Sequence, residues 1–159
     1  MRLLSFPRKW VLVLPVMISL TGCLYPNSSR TDVEIGGIDA NEPQEVAQFF
    51  KDYENLLDNM GFSSRKSFSD DGSVLMRMQT ERNLLTCRGA MVDDLVRIKC
   101  LEIWSPWIPF LWPRVSVEYV QLMKNVALFI EPFGVTKVER YLYNGDYREM
   151  DLSDLIAGR

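Results

Sequence analysis

Apolar residues recur at helical spacing in one stretch of the chain. Val46, Phe49, Phe50, Tyr53, Leu56, Leu57 and Met60 fall at i, i+3, i+4 and i+7, the pattern of a helix with one buried face. Lys51, Asp52, Glu54 and Asp58 take mostly the opposite side. Asn41 suits the cap, Pro43 the first turn, and Gln44 stands three residues past Asn41 as in a capping box, with Gly61 a natural stop. Beyond Gly61 the texture changes to short runs between turn residues. Val74–Met78 alternates with period two, although Val74–Leu85 also admits a helix. Leu95–Ile103, Val115–Leu122, Val126–Glu131 and Val135–Tyr143 are further runs, and Asn144-Gly145 is a type I′ hairpin signal. A short closing helix has Ser153 as cap and Gly158 as stop. The expected fold is α+β: one N-terminal amphipathic helix packed on an antiparallel β-meander, with a hairpin disulfide.

The disulfide follows from register. A hairpin turning at Asp93-Asp94 pairs Val92 with Leu95, and the same register sets Cys87 opposite Cys100. Gly89 with Ile98 and Met91 with Val96 then share their face, which is consistently apolar. The register also opposes Arg88 to Lys99, an unfavourable pair unless solvated. In an oxidising compartment the two cysteines are expected to be joined. A redox or nucleophilic pair is the rival reading, kept open by Arg88 and Lys99 beside the thiols.

The segment Ile103–Pro113 is unusual: three of the four tryptophans, Trp104, Trp107 and Trp112, lie within it, spaced by Pro106, Pro109 and Pro113. Prolines remove backbone donors, so it is neither a central strand nor a helix interior. It reads as a stiff connection, and three uses are open for its aromatics. They cover the core, they anchor a protein partner, or they sit at a bilayer headgroup level, as tryptophan favours. Trp107, Ile108, Phe110, Leu111 and Trp112 are the candidate partner or membrane contacts.

The start of the chain has a different character. Arg2, Arg8 and Lys9 precede an uncharged run from Trp10 to Leu20 that is too short to span a bilayer and is broken by Pro15. Leu20-Thr21-Gly22-Cys23 follows, an aliphatic residue and two small ones before a cysteine. This resembles the lipobox of bacterial lipoproteins. The resemblance implies that residues 1–22 are a signal peptide and that Cys23 carries a thioether-linked diacylglycerol. Its freed amine would take a further acyl chain such as palmitate. Two or more chains make a stable anchor. Leu24, rather than Asp, after that cysteine implies the outer membrane facing the periplasm over the inner membrane. Residues 23–40 are then an acylated flexible tether of turn-rich composition, and 41–159 a single domain.

Charge and composition narrow the function. Residues 1–22 hold three of the 18 basic residues and none of the 21 acidic ones, so the remaining chain carries a net charge of −6. That argues against nucleic acid, and against a basic patch as the membrane tether. The chain lacks histidine, the commonest neutral-pH base and metal ligand. No phosphate loop, nucleophile elbow or metalloprotease motif occurs, and Asp70-Asp71 and Asp93-Asp94 read as turn formers. Neither metal nor cofactor is expected. The leading expectation is a non-enzymatic, lipid-anchored envelope protein that binds another envelope component. The alternatives are a periplasmic inhibitor or immunity protein against a toxin or hydrolase, and a carrier of a lipid or other apolar ligand.

Overall fold

A computed structural model describes residues 28–64, 73–81, 83–104, 115–142 and 146–158. Strand β1 (Ser28–Ile35) comes first, then helix α1 (Pro43–Asn59) and strands β2 (Ser63–Ser64), β3 (Val74–Gln79), β4 (Asn83–Val92) and β5 (Leu95–Trp104). Helix α2 (Val117–Ile130), a 3-10 turn (Glu131–Phe133), strands β6 (Val135–Tyr141) and β7 (Tyr147–Glu149), and the short helix α3 (Leu152–Ile156) complete it. All pairings are antiparallel, in one sheet of order β2-β3-β4-β5-β1-β6-β7. The chain is thus α+β.

Three expectations are corrected here. The first is that a helix opens the fold and that residues 23–40 are a tether. Residues 28–35 instead form the strand between β5 and β6, and α1 comes second. Ser29, Thr31, Val33 and Ile35 are all buried, alternating with half-exposed Arg30, Asp32 and Glu34. Both edges of β1 are paired, so its backbone is satisfied even where its side chains are polar.

The second concerns Val115–Leu122 and Val126–Glu131, expected as strands of the meander. They are one helix, because Tyr119, Leu122, Met123, Val126, Ala127 and Ile130 bury a single helical stripe. Ser116 caps it, its side chain accepting from the Tyr119 N–H. The third concerns the last hairpin. Tyr141 pairs with Tyr147, and the Leu142 N–H bonds the Asp146 carbonyl at 2.8 Å. A two-residue Asn144-Gly145 turn would require Tyr143 opposite Asp146, so the connection is longer; residues 143–145 themselves lie outside the described ones.

Smaller differences occur at the caps. Glu42, not Asn41, precedes α1, and it makes no side-chain cap bond. The Asn41 amide instead donates to Asp39 at 3.1 Å. Asp151, not Ser153, stands at the N-cap position of α3, and it too makes no side-chain cap bond. Gly61 follows α1 with φ +87°, a conformation glycine adopts without strain.

Both long helices lie on the same sheet face. The Tyr53 hydroxyl of α1 stands 3.7 Å from Cys100 Sγ, and a methyl group built on Gly89 would come within 3.0 Å of the Phe50 ring. The Tyr119 hydroxyl of α2 bonds the Cys100 carbonyl at 2.8 Å. Rings of Phe49, Phe129 and Phe133 meet between the helices with centroids 5.0–5.7 Å apart. Among the described residues no helix covers the other face of the sheet.

Candidate functional site

The β4–β5 hairpin holds the two cysteines that the sequence analysis singled out in the body of the fold. Its register pairs Val92 with Leu95 and Cys87 with Cys100, and the two cysteines are joined, with Cα atoms 4.2 Å apart. Asp93 and Asp94 make the turn at φ 52° and 62°, the two left-handed residues a type I′ turn requires. Both cysteines are fully buried under α1. The Arg88–Lys99 pair falls on the open face, where Asp32 on β1 stands opposite Lys99 with an Nζ–Oδ2 distance of 3.9 Å. The other predicted site residues, Cys23 and Trp107, Ile108, Phe110, Leu111 and Trp112, lie outside the described residues.

The structure adds a buried polar group that sequence reasoning missed. Glu102, near the end of β5, is fully buried. Its Oε1 accepts from Asn83 Nδ2 at 2.6 Å and its Oε2 accepts from the Ser116 N–H at 3.2 Å. Asn83, at the start of β4, also donates to Ser116 Oγ at 3.0 Å, and its own N–H donates to Thr80 Oγ1 at 3.0 Å. One carboxylate therefore ties the start of β4, the end of β5 and the N-terminus of α2. The position suits a negative charge, since unpaired N–H groups and the helix dipole concentrate there. The described residues on either side of 105–114 are thus clasped together by the Glu102–Ser116 bond. Beside the clasp, Tyr119 bonds Thr31 at 2.9 Å, and Arg140 lies largely buried opposite Thr31. Burial lowers the Arg140 guanidinium pKa from its ordinary value, and Tyr119 and Glu102 act against that shift.

The open face of the sheet is a lattice of charges and rings. Arg97 reaches Glu34 at 3.2 Å and Asp93 at 3.7 Å. Arg30 Nε lies 3.1 Å from Asp32, while its guanidinium sits 4.1 Å over the Tyr141 ring, a favourable cation–π geometry. Tyr141 and Tyr147 pack with centroids 5.1 Å apart. Glu139 accepts from Lys137 at 2.7 Å, from Tyr147 at 2.8 Å and from Tyr141 at 3.3 Å. The Lys137 bond, followed by that from Tyr147, holds the Glu139 carboxyl below its usual range. Asp32 moves the other way, because burial raises its carboxyl pKa more than Lys99 and Arg30 lower it. Half-buried Leu84, Leu101 and Ile103 continue this face toward the clasp.

A third feature is a surface groove between α1 and the Asp93-Asp94 turn, floored by Val46, Phe50 and Met91 and edged by Lys51, Glu54 and the turn aspartates. Among the described residues no three His, Cys, Asp or Glu side chains converge as metal ligands. No described helix is long and apolar enough to cross a membrane. The chain matches no known protein family, and no curated protein or solved structure resembles it significantly.

Proposed function

We propose that the protein is a non-enzymatic, lipid-anchored component of the cell envelope that works by binding another envelope protein through the open face of its sheet. The observation that supports this most is the composition of that face. It combines Tyr141, Tyr147 and Arg30, residue types enriched at interface anchors, with the apolar Leu84, Leu101 and Ile103. Tyr147 is 49% exposed and already ordered by Glu139, so little side-chain freedom remains to be lost on binding. Attachment rests on the Leu20–Cys23 motif, with the acyl chains at Cys23 buried in the outer membrane and the folded body facing the periplasm.

Crosslinking in intact envelopes tests the binding role. A stoichiometric protein adduct is expected with the native chain, and its loss is expected for Tyr147→Ala at unchanged thermal stability. Undiminished adduct from that variant would remove the open face as the binding surface. Cys23→Ala tests the anchor: the substituted chain should leave the membrane fraction on high-salt washing, and its retention there would overturn lipid attachment.

A further inference from the structure

The two ends of the sheet differ, and only one of them is near the proposed anchor. β1 starts at Ser28, opposite Ile103, so its first residue lies at the end of the sheet where β5 finishes. The antiparallel order brings the end of β3 and the start of β4 to the same place, with Gln79 beside Leu84 and Asn83 beside Trp104. The end of β6 and the start of β7 follow, with Arg30 beside Tyr141 and Tyr141 beside Tyr147. The Glu102–Ser116 bond adds the N-terminus of α2. The most exposed apolar residue lies here: Val117, in the first turn of α2, is 82% exposed, whereas Val92 and Leu128, toward the other end, are 36% and 46% exposed. The opposite end holds the Asp93-Asp94 turn, the start of α1 and the end of α2, where six acidic residues, Asp39, Glu42, Glu45, Asp93, Asp94 and Glu131, are exposed, against Glu81, Glu118 and Asp146 at the Ser28 end.

Only Leu24, Tyr25, Pro26 and Asn27 separate Cys23 from Ser28. Fully extended, that stretch spans at most about 17 Å, whereas a ten-residue strand such as β5 is about 33 Å long. An acyl group on Cys23 therefore keeps the Ser28 end of the sheet close to the lipid and cannot carry the acidic end there without laying the body flat. Exposed Val117 favours the upright arrangement, because an aliphatic side chain gains by leaving water at the headgroup boundary. The acidic groups favour it too, since they are repelled by anionic headgroups within a Debye length.

We infer that the Ser28 end of the sheet rests on a phospholipid bilayer, with Val117 at headgroup level and the more acidic end directed away. This rests on the lipid attachment proposed for Cys23. It leaves the open face standing roughly along the membrane normal, free for a protein partner.

The test uses the full lipidated chain in vesicles of phosphatidylethanolamine and phosphatidylglycerol, with an environment-sensitive fluorescent amino acid placed singly at Val117 or Glu131. Both positions are exposed, so the fold tolerates the change. They mark the two ends of α2, about 20 Å apart. Quenching by brominated acyl chains should be about threefold or more stronger at 117 than at 131, because of that difference in height. Mass spectrometry of the Cys23 peptide separates the two claims. Acylated Cys23 with equal quenching at both positions, or more at 131, overturns the orientation and leaves the anchor standing. Unmodified Cys23 overturns both.

Discussion

Replacing Glu102 with Gln tests whether the clasp stabilises the fold or merely fills space. The side chain keeps its shape, but one of its two acceptor oxygens becomes an amide donor. Glu102 receives donors on both sides, Asn83 Nδ2 at 2.6 Å and the Ser116 N–H at 3.2 Å, so whichever way the new amide turns, a donor faces a donor. One hydrogen bond to a charged acceptor is lost, and a buried NH₂ group is left unsatisfied because Glu102 is fully enclosed. Together these cost about 2–4 kcal/mol. Urea unfolding should show the loss as a lower midpoint at unchanged slope, and Tm should fall by about 4 °C for each kcal/mol. Ser116→Ala should cost about 1 kcal/mol, the usual loss for a helix cap. Because the two side chains share Asn83, the double variant should fall short of additivity by at least about 0.5 kcal/mol. Glu102→Gln within about 0.5 kcal/mol of the native chain, as at a surface position, together with additive behaviour, would refute the clasp.

Three further outcomes are expected. Burial raises the phenol pKa of Tyr53 and Tyr119 well above the ordinary 10.0. Unfolded tyrosines lose their protons near pH 10, so the folded state holds more protons above that value. Stability is intact below pH 10 and should then fall by about 1.4 kcal/mol per pH unit for each tyrosine; unfolding curves between pH 9 and 12 measure this, and Tyr53→Phe should halve the slope. Removing the Cys87–Cys100 bond by double substitution to Ala should cost about 3 kcal/mol on the chain-entropy estimate for a loop of this length; two free thiols in unreduced, freshly denatured protein would contradict the pairing. Asp94→Gly should raise stability by about 1 kcal/mol, because φ 62° strains a residue with a side chain but not glycine; an unchanged or lower midpoint would show that the turn is held by something other than backbone preference.

The β4–β5 hairpin was the most legible part of the chain, since a turn pair, an apolar alternation and two cysteines all demanded one register. β1 was not legible because its sequence, Ser28 to Glu34, is rich in polar residues, and its burial depends on two strands far along the chain. α2 was misread because Val, Tyr and Phe are good strand residues. Only by joining the two runs across Asn125 does the helical stripe emerge. Glu102 left one usable signal. Val96, Ile98, Cys100 and Glu102 alternate in phase, so the inward face of β5 already contained a carboxylate. What the strand pattern lacked was its partner, the amide at the start of a helix not yet recognised.

The central place of β1 sets the order in which the chain can be completed. Its partners at Ile103 and Tyr141 are made long after Ser28. At about 5–20 residues per second the first strand waits several seconds for the second. The β4–β5 hairpin, with its local contacts, can close in microseconds. Until the second half arrives, β1 is an alternating strand with two open edges, the form most prone to pairing with another copy. A chain interrupted before β6 would keep its hairpin but lack half of its central pairing. The chain is therefore most exposed to aggregation before β6 has reached β1, on whichever side of a membrane it folds, and a factor that shields residues 28–35 until then should raise its yield more than any added stability of the finished fold.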